Sequence, residues 1–174
     1  MGRISIRLFV LKIKRFTAYF SAQVTRKTSN KEEMNRSLEF IKASNLLGPK
    51  RLPTVAIVDV RDDERSSDGH IAGSLHFCSE TFNANMPRLV HATNGKDTLV
   101  FHCAFSQIRG PRCARTFAEY LSQTADKDNT GIKRIMVLEN GYNGWKGAGH
   151  PVCYCTEAFC KSYTEPGSQS IAKP

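Results

Sequence analysis

The sequence predicts an α/β fold, a parallel central sheet flanked by helices on both faces. Three observations predict it. Short apolar, β-branched runs recur at 54–60, 98–101 and 132–138, and strands that are apolar on both sides are buried on both faces, as parallel strands are. Segments with helical spacing alternate with these runs, which argues strand–helix–strand units. The 174-residue length suits one domain with tails.

Taken in order, 36–47 carries Leu38, Ile41, Leu46 and Leu47 at helical spacing and is closed by Gly48-Pro49, which predicts a helix. Residues 54–60 predict the first buried strand and 61–69 a polar loop. A second short strand is expected within 70–77, and a helix over 81–91 with Leu89 and Val90 on its apolar side. Gly95-Lys96-Asp97 turns into the strand 98–101. Pro111 suits the first turn of a following helix, where its missing N–H costs nothing. That helix should reach Gln123, with Cys113, Phe117, Tyr120 and Leu121 toward the sheet. The strand 132–138 is followed by the turn Gly141-Tyr142-Asn143-Gly144-Trp145, which enters a last short helix.

Charge divides the chain unevenly. The net charge is +9, but residues 1–31 hold eight basic residues and no acid, leaving 17 basic and 16 acidic residues in the rest. A nearly neutral body excludes a nucleic-acid surface outside the leader. Residues 1–33 form a basic extension that reads either as an organelle transit leader or as a disordered tail, with Met34 as an alternative start. The globular domain is expected over 34–161 and a flexible tail over 162–174. No apolar run approaches the roughly 20 residues that span a bilayer, so no membrane partner is expected, and the domain is expected to be a monomer.

The chemistry is concentrated after the strand 98–101. His102-Cys103-Ala104-Phe105-Ser106-Gln107-Ile108-Arg109 runs directly into Gly110-Pro111. A strand feeding a tight loop that feeds a helix places a cluster of backbone N–H groups at the positive end of the helix, an anion cradle. In open parallel sheets the ligand site lies beyond the carboxyl ends of the strands, where this loop falls. Cys103 is the expected nucleophile, since loop amides, helix dipole and Arg109 all favour its thiolate. Arg109 can grip two oxygens of a tetrahedral oxyanion. Ser106 is expected to hydrogen-bond the thiolate or help it leave, and His102 to orient the loop or simply to end the strand. Five residues between cysteine and arginine leave room for phosphate or arsenate, where a shorter loop would suit a single sulfur. Cys113 reads as a resolving thiol or as core.

Six cysteines in a body this large are not a disulfide framework. Three of them, Cys153, Cys155 and Cys160, lie near His150 within eleven residues. Three thiolates and an imidazole suit a closed tetrahedral zinc site, or else the thiols are free or redox-active. His150 is the nearest fourth ligand, with His76 or another histidine as the alternative.

These residues also carry a resemblance. Val58-Asp59-Val60-Arg61-Asp62 and Asp68-Gly69-His70-Ile71-Ala72-Gly73-Ser74 resemble the first signature of the rhodanese homology fold. His102 to Pro111 resembles the seven-residue loop of its phosphatase branch, and Gly141 to Trp145 resembles the turn near the domain's end. Over 34–161 the chain is similar to the plant family of small dual-specificity phosphatases of cell-division-cycle type, also described as arsenate reductases. The resemblance implies a rhodanese-like fold and a cysteinyl-phosphate intermediate on Cys103, held by Arg109 and the loop amides. It further implies arsenate reduction with glutathione and glutaredoxin, and a zinc loop whose cysteines match 153, 155 and 160. The substrates expected are arsenate or a phosphorylated protein, in the cytoplasm or nucleus, or in an organelle if the leader directs it there.

One departure stands out. Ala104 follows the nucleophile where the animal loop has an acid, and the loop interior carries no carboxylate. A phosphatase needs a proton for its leaving group, so Asp62, Asp63 and Glu64 are either donors from the neighbouring loop or a solvated charge run. Arsenate reduction is the easier activity to credit. The alternatives are a thiosulfate sulfurtransferase, against which the loop length argues, and a non-catalytic phosphoprotein-binding module, against which the presence of both Cys103 and Arg109 argues.

Overall fold

The computed structural model describes residues 38–47, 54–124 and 130–161. The basic leader and the tail from 162 lie outside the described residues. In chain order the elements are β1 (Glu39–Ile41), α1 (Ala43–Leu46), β2 (Val55–Asp59), α2 (Glu64–Asp68), β3 (His70–Ile71), β4 (Leu75–His76), α3 (Phe82–Ala92), β5 (Thr98–His102), α4 (Arg109–Gln123), β6 (Arg134–Leu138), α5 (Gly141–Gly147) and β7 (Val152–Cys153).

Five strands form one sheet in the order β1-β6-β5-β2-β4, and every neighbouring pair is parallel. β3 and β7 form a separate antiparallel pair. Alternation along the central strands divides the core in two. Ala56, Val58, Leu99, Phe101 and Val137 face α3 and α4, whose Phe82, Met86, Leu89, Cys113, Ala114, Phe117 and Leu121 complete that layer. Ile57, Val100, Met136 and Leu138 face the opposite way, onto Leu46 of α1 and onto Tyr142 and Trp145 of α5. Phe82, Phe101 and Phe117 meet at ring-centroid distances of 6.0 to 6.5 Å, within the range of favourable aromatic pairs. Helices therefore cover both faces, as the strand composition requires. Among the described residues no helix is long and apolar enough to cross a membrane.

Three local expectations give way to tertiary structure. Of the helix expected over 36–47, residues 36–37 lie outside the described residues and 38–47 hold β1 followed by the single turn of α1, because Glu39, Phe40 and Ile41 add to the β6 edge opposite Met136, Val137 and Leu138. The strand expected within 70–77 is two strands in different sheets, separated by the turn at Ala72-Gly73. The polar loop 61–69 contains α2.

Candidate active site

The loop 103–108 leaves the carboxyl end of β5, at the centre of the sheet, and enters α4. Two glycines let other backbone close on it. A Cβ at Gly110 would lie 3.3 Å from the Cys103 nitrogen, so the first turn of α4 stands against the Cys103 backbone. Gly141 has φ +55°, and a Cβ there would fall 2.4 Å from the Cys103 carbonyl oxygen and 2.7 Å from that of Ala104. The N–H groups of Tyr142 and Asn143 donate to those same two carbonyls at 2.9 Å. Because the peptide planes are trans, the N–H groups of Ala104 and Phe105 point the other way, away from α5. The N-terminus of α5 thus fixes the orientation in which the loop offers its amides.

Cys103 is buried at 4% exposure, as is Ser106. Ser106 adopts the left-handed conformation at φ 54°, uncommon for a residue with a side chain, and its buried Oγ has no hydrogen-bond partner among the described residues. Phe105 and Ile108 of the same loop turn outward, 59% and 73% exposed. His102 is fully buried, and its Nδ1 lies 3.4 Å from the Cys103 carbonyl oxygen. Burial holds its imidazole below the ordinary histidine range, only partly offset by Asp59. It is a neutral ring at the end of β5, set against the first carbonyl of the loop.

Arg109 opens α4 at the far end of the loop. Its two terminal nitrogens are gripped by the first and third acids of the run 62–64. Nη1 donates to Asp62 at 2.6 Å, and Nη2 donates to Glu64. Asp62 also accepts from the Cys78 thiol at 2.8 Å and from the Ser79 N–H at 2.9 Å. Burial alone would raise the Asp62 carboxyl, but Cys78, Arg109 and Ser79 together push it down to about 2. Glu64 is lowered chiefly by Arg109. Both acids are ionised acceptors at neutral pH, so neither holds a proton to give.

Beneath the loop lies a buried charge network. Asp59, at the end of β2, accepts from Arg61 at 2.7 Å and from Arg65 at 3.0 Å, with His102 Nε2 3.9 Å away. Burial disfavours the Asp59 charge, while His102, Arg61 and Arg65 favour it, and the balance holds the carboxyl well below its usual range. Since burial keeps His102 neutral near pH 7, the two guanidiniums supply the attraction. Arg61 also stacks on the Tyr142 ring at 3.8 Å and donates to the Gly69 carbonyl. Tyr142 in turn donates its hydroxyl to the Asp68 carbonyl at 2.6 Å. One carboxylate thus ties β2, α2, β5 and α5 together beside the Cys103 loop. Cys113 packs in the α4 layer, its thiol pushed up to about 11 by burial.

The terminal cysteines gather elsewhere. The β3–β7 ladder sets His70 directly opposite Cys153. Cys160 is drawn in by its N–H donating to the Ser74 carbonyl, while the Gly73 N–H donates to its sulfur at 3.2 Å. Cys155 Sγ lies 3.5 Å from His70 Nε2. The ligand atoms of His70, Cys153, Cys155 and Cys160 all fall within 4.8 Å of one another, close enough to share one metal ion. The histidine in this cluster is His70 and not His150, which packs edge-on against Trp145 at 5.0 Å. His76 is excluded too, its Nε2 lying 2.7 Å from the Arg61 carbonyl oxygen. Burial, then Arg65, lowers the His70 imidazole to about 4, so the ring is neutral at neutral pH. Burial and the neighbouring Cys160 and Cys153 push the Cys155 thiol up to about 12.

A parallel sheet with a cysteine loop at the end of its central strand, backed by the buried Asp59 network, defines a rhodanese-like domain. The chain belongs to that family, whose rhodanese-like domain model matches residues 42–148. Within it, the chain is 50% identical over 148 residues to Arsenate reductase 2.1 of Oryza sativa subsp. japonica, covering 84% of this chain and 91% of the relative. It is 53% identical over 131 residues to Dual specificity phosphatase Cdc25 of Arabidopsis thaliana, covering 75% and 88% respectively. The fold is shared by Ygr203w, a yeast protein tyrosine phosphatase of the rhodanese family, with TM-score 0.51 and 22% identity over 63% of this chain and 85% of that one.

Proposed function

We propose that the protein is a cysteine-dependent oxyanion enzyme that reduces arsenate with glutathione and glutaredoxin, and that hydrolyses aryl phosphates more weakly on the same nucleophile. The observation that carries this reading is the pairing of a buried Cys103, in a loop oriented by α5, with Arg109 at the loop's far end. Its half-identity to relatives named arsenate reductase and dual-specificity phosphatase supports the choice of substrates.

The Cys103 thiolate attacks arsenic and the displaced oxygen leaves as water. Loop amides and Arg109 carry the charge on the remaining oxygens. A glutathione thiolate then attacks the Cys103 sulfur. The sulfur–arsenic electron pair stays with arsenic, As(V) becomes As(III), and Cys103 is left in a mixed disulfide. Glutaredoxin with a second glutathione restores the thiol. No step needs a general acid on the protein beyond protonation of oxygen by solvent. Phosphoester cleavage does need one for an alkoxide leaving group, and Asp62 and Glu64 are both ionised. Phenolate esters are therefore favoured over serine and threonine esters.

The donor set of His70, Cys153, Cys155 and Cys160 fits a structural zinc, which prefers four soft or borderline ligands in a tetrahedron. Bound there, zinc would hold the terminal loop against β3 and take no part in the reaction.

Side-by-side turnover of arsenate, with glutathione and glutaredoxin, and of an aryl phosphate tests the proposal. Wild type should turn over both, arsenate the better, and Cys103→Ser neither. Turnover retained by purified Cys103→Ser would overturn it.

A further inference from the structure

We infer that Cys153, Cys155 and Cys160 form a binding site for trivalent arsenic, separate from Cys103; that this ligand is the enzyme's own product rests on the function proposed above. Trivalent arsenic takes three thiolates in a pyramid and keeps a lone pair in the fourth position. The cluster offers three sulfurs whose ligand atoms, with that of His70, lie within 4.8 Å of one another. All three come from one eight-residue stretch, and no disulfide occupies them. Two of the sulfurs already accept backbone N–H groups, Cys160 from Gly73 at 3.2 Å and Cys153 from Cys155 at 3.4 Å. Cys153 and Cys160 are buried, while Cys155 is partly exposed and gives an entering ligand its first sulfur.

The exchange involves no oxidation. Arsenous acid and three thiols give one arsenic tris-thiolate and three waters. If zinc holds the thiolates, three protons are taken from solution, and the zinc ion and His70 are released. His70 separates the two ligands, because zinc uses it as the fourth donor and trivalent arsenic does not.

The test is equilibrium dialysis of the full-length protein, with its zinc content measured, against sodium arsenite. Bound arsenic and retained zinc are counted by elemental analysis, and arsenic K-edge absorption counts the sulfur neighbours. One arsenic per chain with three sulfur neighbours is expected, with zinc lost mole for mole from any loaded fraction. The triple variant Cys78→Ser/Cys103→Ser/Cys113→Ser should retain the arsenic. His70→Ala should retain arsenic while losing zinc, and Cys155→Ser should weaken arsenic binding at least tenfold. Fewer than three sulfur neighbours on wild type, a measurement that needs no variant to fold, would overturn the inference, as would loss of binding with Cys103. Arsenite is supplied directly, so an enzyme that fails to reduce arsenate leaves this result standing, and an active enzyme that binds no arsenite refutes it alone.

Discussion

Arg109 donates to Asp62 at 2.6 Å across 47 positions of sequence, so the guanidinium that an oxyanion needs is already engaged by a carboxylate. Glu64 takes its other terminal nitrogen. Two negative charges therefore stand at the mouth of a site that must admit a dianion. The two acids are not equivalent. Asp62 is anchored by Cys78 and Ser79, whereas Glu64 is a third exposed and held mainly by Arg109.

Glu64→Gln is expected to tighten oxyanion binding. Removing its charge frees one side of Arg109 and lowers repulsion of the incoming dianion. Ion pairs at this exposure are worth about 0.2–1 kcal/mol, so KM for arsenate should fall roughly two- to fivefold with kcat nearly unchanged. Steady-state kinetics at low ionic strength checks it, and a rise in KM would instead make Glu64 a positioning residue for Arg109.

Asp62 sets a pH dependence of stability. Its folded value of about 2 lies below its ordinary 3.8. The ionised carboxyl therefore stabilises the fold above about pH 4, and that contribution is lost as the pH falls from there through about 2. At neutral pH it amounts to about 2 kcal/mol. Urea midpoints measured from pH 2 to 6 should fall more steeply for wild type than for Asp62→Asn. Parallel curves would mean that Asp62 is not ionised by its partners.

Asp59→Asn should be among the most damaging single changes. It leaves Arg61 and Arg65 buried without their counter-charge, a situation that costs about 3–5 kcal/mol. Equilibrium unfolding in urea would register it, and a loss under 1 kcal/mol would mean that the guanidiniums reach solvent.

Gly141→Ala strikes the loop from behind. The added Cβ meets two backbone carbonyls at 2.4 and 2.7 Å, at a φ of +55°, and neither atom can swing aside as a side chain would. Backbone strain of about 1–3 kcal/mol and a displaced Cys103 loop should lower kcat/KM by tenfold or more. Gly147→Ala, where a Cβ meets nothing within 4 Å, is the control that should leave activity intact.

His70→Ala and His150→Ala separate the two histidines. The first removes a donor from the cluster and the second only an edge contact with Trp145. Zinc per chain should fall sharply in His70→Ala and stay at the wild-type level in His150→Ala; equal contents would count against the metal reading.

What the sequence made legible was what local pattern controls. The strands β2, β5 and β6 carry apolar residues on both faces through their centres, and α4 begins at Arg109-Gly110-Pro111 and runs to Gln123 as its spacing requires. Hidden were the features set by register between distant segments. His70 joins the cysteines because a two-residue ladder pairs it with Cys153, while His150, nearer in sequence, points to Trp145. The spacing of Leu38, Ile41 and Leu46 is helical, yet Glu39–Ile41 completes a sheet edge, where pairing with β6 outweighs propensity. Asp62 and Glu64 look like a solvated charge run until the fold brings Arg109 to them. An unpaired arginine required at the end of an anion loop is the signal that such acids answer.

The same terminal segment that brings in the cysteines also finishes the sheet. Phe159 bridges Leu75, the His76 N–H donates to Ala158, and the Cys160 N–H donates to Ser74, so the outer side of β4 is covered. Phe159 packs on Phe77 at 5.7 Å and Arg88 lies over its ring at 4.8 Å. A chain shortened before 157 would keep every residue of the Cys103 loop and still present a bare β-edge, a template for pairing with its own kind. Its defect would surface as aggregation during expression, while the molecules that stayed in solution kept the loop chemistry.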